Sequence, residues 1–151
     1  MAAHDTRTMP AVRARVTGAL CGVALGLAVV SADDNWPRFR GSDGGVVAEI
    51  DAQPVGAAWY RLFTEEQPGF GFVDEKTPEL SIAVAPLHRR KGIGEAVLRS
   101  CMVQAREEGF QALSLSVAVH NRSRMMYQRA GFEKVAESGD TGDHWTMLAN
   151  L

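Results

Sequence analysis

Apolar, β-branched and aromatic residues fill GVVAEI, residues 45–50, and VGAAWYRLF, residues 55–63, and give both runs strand character. Two such runs joined by the short DAQP connection predict an antiparallel hairpin. The stretch TEEQPGFGFVDEKTP, residues 64–78, carries Pro68, Gly69, Gly71 and Pro78 and predicts a loop. ELSIAVAP then reads as a third strand stopped by Pro86, with Glu79, Ser81 and Ala83 on one face and Leu80, Ile82 and Val84 on the other. After Gly92 the period changes. Ile93, Val97, Cys101 and Ala105 recur every four residues, which predicts a helix to about Glu108 with Gly109 as its stop. QALSLSVAV (111–119) returns to strand character, with Leu113, Leu115, Val117 and Val119 on one face. NRSRMMYQRA (121–130) predicts a short helix ended by Gly131, and FEKVAE and WTMLANL predict two closing strands around the turn SGDTGDH.

Strand, helix and strand over residues 79–119 form a βαβ unit, so the two strands are expected to be parallel and joined by a crossover. Hairpins on either side make the predicted fold α/β (α+β): a mixed, mostly antiparallel sheet with a parallel pair at its centre and flanking helices. Residues 36–151 are read as one domain without internal repeats. Residues 1–35 follow a different pattern. MAAHDTRTMPAVRAR precedes the apolar run VTGALCGVALGLAVVSA. That run is read as a buried helix reaching Val30, weakened by Gly18, Gly22 and Gly26, with a signal peptide as the competing reading. It is too short for a membrane span.

Composition narrows the function. The chain has 151 residues, 46% of them hydrophobic, and a formal net charge of −2. That size suits a single domain with a real core, and the charge argues against a broad nucleic-acid surface. Cys21 and Cys101 lie far apart, and His4, His88, His120 and His144 are scattered, so neither a disulfide framework nor a metal site is expected. Cys101 reads as a small buried helix residue rather than a reactive thiol.

The positive charge is local instead. In HRRKGIGEAV, residues 88–97, Arg89, Arg90 and Lys91 run into Gly92 and Gly94 at the start of the long helix. Unpaired N–H groups at a helix start, close backbone approach at glycine and nearby cations together suit a phosphate or pyrophosphate. A dinucleotide-binding G-x-G-x-x-G requires a third glycine where Val97 stands, and a P-loop G-x-x-x-x-G-K followed by Ser or Thr occurs nowhere.

With Arg89, Gly92 and Gly94 spaced as Arg-x-x-Gly-x-Gly after a strand, and with Asn121, Tyr127, Gly131 and Phe132 in order downstream, the chain resembles the GNAT superfamily of N-acetyltransferases over about residues 45–151. The resemblance implies the acyl-CoA N-acyltransferase fold, its central strands splayed apart, with acetyl-CoA as cosubstrate and no metal. It implies a pyrophosphate site on the amides of Arg89, Arg90, Lys91, Gly92, Ile93, Gly94 and Glu95. It also implies a pantetheine arm along Ile82, Ala83 and Val84, facing Asn121 and Tyr127. The splay is expected to come from a bulge in the strand that ends at Val84.

Direct transfer to an amine within a ternary complex is the implied reaction. Tyr127 is the candidate general acid: a phenol near pKa 10 faces a thiol near 8.5, a gradient of about 1.5 units that positioning must overcome. Glu79, at the start of its strand, is the candidate base, with a water chain as the alternative. The oxyanion donor is expected to be a backbone N–H near Val84. Trp59, Tyr60 and Arg61 are candidates for lining the acceptor site, with core packing the alternative for Trp59 and Tyr60. The acidic stretch TEEQPGFGFVDEK is a candidate for attracting a cationic amine, with a solvated charged loop the alternative. An amine of a small molecule or protein is the expected acceptor, with no nucleic-acid or membrane partner, a homodimer as a possible assembly and the cytoplasm as the compartment. The alternative is a non-catalytic acyl-CoA-binding module. Family members open with a strand and helices that wall the acceptor site, and residues 1–35 show no such strand to the eye.

Overall fold

The computed structural model describes residues 28–31, 44–139 and 142–151. Its strands are β1 Ala28–Ser31, β2 Gly44–Ile50, β3 Gln53–Arg61, β4 Glu79–Val84, β5 Ala112–Ala118, β6 Glu133–Ser138 and β7 His144–Asn150. They form one seven-stranded sheet in the order β1-β2-β3-β4-β5-β7-β6. Helix α1 spans Ile93–Glu107 and helix α2 spans Arg124–Arg129. All neighbours in the sheet run antiparallel except β4 and β5, which are parallel. The mixed architecture expected from the βαβ unit and its flanking hairpins is therefore present.

Two expectations are corrected. The end of the apolar run is not helical: Ala28–Ser31 is a strand, paired antiparallel with β2. Val29 and Val30 are β-branched, and branching at Cβ favours a pleated strand over a helix turn. This short strand takes the opening place that inspection of the sequence left empty. The remainder of the helix-or-signal reading, over residues 1–27, lies outside the described residues. The bulge expected in β4 is also absent, since β4 keeps an unbroken register on β3 from Arg61↔Glu79 to Gly56↔Val84. Register shifts occur in β2 at Ala48/Glu49 and in β6 at Lys134/Ala136.

Helix α1 buries Ile93, Val97, Leu98, Cys101 and Ala105, the four-residue stripe plus Leu98. It covers the sheet face that carries Leu80, Ile82 and Val84. A Cβ on Gly56, the register partner of Val84, would lie 2.9 Å from Ile93 Cγ2, so helix and sheet touch where that side chain is missing. Tyr60 is fully buried in this core, stacks edge-on against Phe110 at 5.7 Å and donates its hydroxyl hydrogen bond to Glu108 Oε2 at 2.5 Å. The phenol thus ties β3 to the end of α1. Burial pushes the Cys101 thiol far above its ordinary range and keeps it unreactive.

The opposite face is covered by the loop of residues 64–78. A Cβ on Gly71 would sit 2.5 Å from the carbonyl carbon of Leu115, and one on Gly69 would sit 2.0 Å from Glu79 Oε2. Only glycine lets the loop lie this flat on β5 and on the Glu79 side chain.

Candidate active site

β4 and β5 pair at a single position, Glu79↔Ser114, beside a hydrogen bond from the Ser114 N–H to the Pro78 carbonyl at 3.0 Å. Beyond that point no strand among the described residues pairs with the facing edge of β4. The splay therefore comes from divergence of two regular strands, not from a bulge. A cleft of about 620 Å³ opens between them, bounded by Glu79–Ile82 on one side and Ser116–Ala118, Asn121 and Tyr127 on the other.

The basic turn stands at the end of β4. After a 3₁₀ turn at Pro86–His88 the chain reverses with Arg90 at φ 58° and Gly92 at φ 82°. A Cβ on Gly92 would meet nothing within 4 Å, so the glycine serves its left-handed backbone and leaves open space in front of it. The first α1 hydrogen bond runs from the Ala96 N–H to the Gly92 carbonyl at 3.0 Å. The N–H groups of Ile93, Gly94 and Glu95 precede that bond and lie outside the helical ladder, at the positive end of its dipole. Arg89, Arg90 and Lys91 are exposed, and Arg89 Nε donates to the Val84 carbonyl at 3.2 Å. That bond fixes the turn against the end of β4. Gly94 faces α2, where a Cβ would be 3.5 Å from the Met126 sulfur.

The Glu95 side chain points elsewhere. It pairs with Arg99 at 2.9 Å and with Arg129 at 3.7 Å, and the Arg99 hydrogen bond holds its carboxyl below the usual range. Only its backbone N–H is available to a ligand at the turn.

Glu79 is half-buried in the cleft wall. Desolvation pushes its carboxyl above the ordinary range, against the opposing pull of the Gly71 N–H and of Arg61, its cross-strand partner. Tyr127, on α2, lies across the cleft with its ring edge-on to Phe132 at 6.0 Å, and burial raises its phenol too. Asn121 is exposed at the cleft rim, and its Oδ1 accepts the Ser123 N–H at 2.9 Å. The side-chain oxygen thereby supports the start of α2, and the amide NH₂ takes no part in that bond. Ile82 and Val84 are half-buried and Ala83 is exposed along the open edge of β4.

The start of the open β4 edge, Glu79, Asn121 and Tyr127 thus line one cleft, and the basic turn follows at the end of β4. The sequence model of the acetyltransferase (GNAT) family matches residues 16–132. The chain belongs to this acetyltransferase family. In sequence, 63 residues of the GNAT chain are 35% identical to a ribosomal-protein alanine N-acetyltransferase of Haemophilus influenzae, a match covering 42% of each protein. In structure it resembles a ribosomal-protein-alanine N-acetyltransferase from Brucella melitensis, with a TM-score of 0.60 and 30% identity over 72% of this chain and 68% of that one. It shares its fold with PaiA N-acetyltransferase from Thermoplasma acidophilum, solved in complex with coenzyme A, with a TM-score of 0.56 and 16% identity over 71% of this chain and 60% of that one.

Other candidates of the GNAT chain are not at the cleft. Trp59, Tyr60 and Arg61 do not line it: Tyr60 faces the core, and the Arg61 guanidinium stacks over Phe63 at 4.2 Å. The acidic loop contributes Phe70 rather than charge. Glu75 accepts the Glu65 N–H at 3.2 Å and Asp74 accepts the Lys76 N–H at 2.8 Å, so these carboxylates stabilise the loop itself. Phe70 stands 86% exposed at the cleft rim. Ser116, Ser138, Asp143 and His144 also line the cleft and were not singled out in the sequence. The alternation of SLSVAV carried the signal for Ser116, since the residues between the apolar positions of β5 must share the face of Glu79.

Proposed function

We propose that the protein transfers the acetyl group of acetyl-CoA to a primary amine, with the seven-stranded sheet from β1 to β7 and its two helices as the catalytic domain. The observation that carries this reading is the placement of three features along and across the splay of β4 and β5. These are an unpaired strand edge, a cationic helix start with free N–H groups, and a carboxylate and a phenol on facing walls. The residues fit the cosubstrate. The amides of Ile93, Gly94 and Glu95, with Arg89, Arg90 and Lys91, suit its pyrophosphate. The open edge of Ile82, Ala83 and Val84 offers backbone groups to its amide-bearing arm, as a peptide strand would be received. When bound, acetyl-CoA supplies the acetyl group as a thioester.

Glu79 and Tyr127 divide the proton transfers. Glu79 takes a proton from the acceptor nitrogen as the C–N bond forms. Its raised pKa makes it a stronger base than an exposed carboxylate. Tyr127 gives the proton that the departing sulfur requires, and its raised pKa keeps the hydroxyl in hand. A β4 N–H near Val84 polarises the thioester carbonyl. Both protons are exchanged with water at the open mouth between turnovers. The two ribosomal-protein alanine N-acetyltransferases among its relatives support a peptide α-amine, alanine first, as the acceptor class to be tried. The intracellular thioester donor places the protein in the cytoplasm under this reading.

Calorimetry with acetyl-CoA tests it. The folded wild type should bind. Arg90→Ala/Lys91→Ala, which alters only exposed side chains, should weaken binding about tenfold, on the scale of one charge-assisted hydrogen bond. Gly92→Glu/Gly94→Glu should reduce it at least a hundredfold through charge repulsion and the Met126 contact. A folded wild type without a binding signal would overturn the proposal.

A further inference from the structure

The register of the parallel pair places Glu79, Ser114 and Ser116 on one sheet face, beneath the loop of residues 64–78. Three polar atoms on that face, Glu79 Oε2, Ser114 Oγ and Ser116 Oγ, are buried without a hydrogen-bond partner among the described residues. Buried polar atoms are nearly always paired, so orphans need an explanation. Ser114 is sealed beneath the loop, whereas Glu79 and Ser116 both line the cleft. A carboxylate oxygen on the β4 side of the cleft and a hydroxyl oxygen on the β5 side, both lacking donors, point to an occupant between them that brings N–H groups.

We infer that Ser116 is a second anchor for the acceptor amine and makes the site selective for primary amines. The inference rests on the transfer reading above. A neutral primary amine carries a lone pair and two N–H bonds. Glu79 Oε2 accepts one N–H and removes that proton as the lone pair attacks the thioester carbon. Ser116 Oγ accepts the other, which stays on nitrogen and becomes the N–H of the product amide. Meanwhile the C–S bond breaks and the sulfur leaves with the proton of Tyr127. A secondary amine has a single N–H, which Glu79 requires, so Ser116 stays unpaired when such an amine attacks.

The test uses the full chain, acetyl-CoA and two peptides, one beginning with alanine and its counterpart beginning with N-methylalanine, with thiol release as readout. In Ser116→Ala, kcat/KM for the alanine peptide should fall about fivefold to tenfold, the worth of one hydrogen bond. The N-methyl peptide should show no fall, acetyl-CoA affinity should be unchanged, and Tm should not drop, because no intramolecular bond is lost. Equal falls on both peptides, or no fall on either, would overturn the role of Ser116 while the transfer reading stands. A wild type that acetylates neither the alanine peptide nor benzylamine overturns the transfer reading, and this inference with it.

Discussion

Glu79 holds a carboxylate where water is scarce, and the cost of that placement predicts how the protein responds to pH. Its folded pKa is raised above the reference value of 4.5, chiefly by desolvation. Between the two values the folded protein keeps a proton that the unfolded chain has lost. The stability Glu79 contributes is therefore full below pH 4.5 and is lost as pH rises through its folded pKa. Glu79→Gln removes the buried charge at constant shape. Its Tm should match or exceed that of wild type at pH 7, and the advantage should vanish below pH 4.5. Activity should move the other way, with kcat/KM falling about 10² to 10⁴-fold and the acidic limb of the pH profile disappearing. A Tm below wild type at pH 7 that rejoins it below pH 4.5 would show that the pull of Arg61 outweighs desolvation. Tyr127→Phe separates chemistry from binding: kcat should fall about a hundredfold while calorimetry returns the wild-type acetyl-CoA affinity. Equal loss of both would make the phenol a packing residue.

At the scale of elements, the loop of residues 64–78 is what makes the Glu79 face a cleft wall, and its closeness depends on a missing Cβ. Gly71→Ala places a methyl 2.5 Å from the Leu115 carbonyl carbon, a backbone atom that cannot turn aside. The loop must lift, at a cost of about 1–3 kcal/mol. Acceptor KM should rise and proteolysis within residues 64–78 should quicken, with acetyl-CoA affinity unchanged because the turn at Gly92 is untouched. An unaltered cleavage rate would mean that the loop already moves freely. Such contacts explain which elements were legible in the sequence. The hairpin of β2 and β3, the crossover through α1 and the closing pair of β6 and β7 follow from local signals, because apolar strand-forming runs, turn residues and the four-residue stripe of α1 are all read along the chain. The basic glycine turn was legible for the same reason, since cations, glycines and a helix start are neighbours along the chain. β1 was not, because an apolar run interrupted by glycines fits helix and strand alike until a partner edge is known. Ser116 looked like an ordinary solvent-side residue, since nothing local reveals that Gly71 closes over that face. Tyr60 fitted core and site lining alike in the sequence, and what decides for the core is a partner for its hydroxyl, Glu108, 48 residues away.

At the scale of the molecule, the sheet is two halves joined at one strand pair, and a ligand that fills the gap should join them further. β1, β2, β3 and β4 form one half and β5, β7 and β6 the other, and between β4 and β5 they share only the Glu79↔Ser114 pairing. α1 spans the seam, contacting β2, β3, β4 and β5. The β4 amides that face the gap have no strand partner and should exchange with deuterium faster than those facing β3. Acetyl-CoA lying along that edge should slow the exchange of residues 81–84 and leave β6, at the far edge, unchanged. Because the ligand binds the folded chain alone, acetyl-CoA at a hundred times its Kd should stabilise the protein by about 2.7 kcal/mol. For a domain of this size that is an upward Tm shift of about 5–10 °C. Protection confined to the turn of residues 89–95, with β4 still exchanging, would mean that the pyrophosphate is held and the arm is not. Stabilisation without protection at either place would put the ligand outside the cleft altogether. The splayed strands would then be a feature of the fold that this chain does not use for acetyl-CoA.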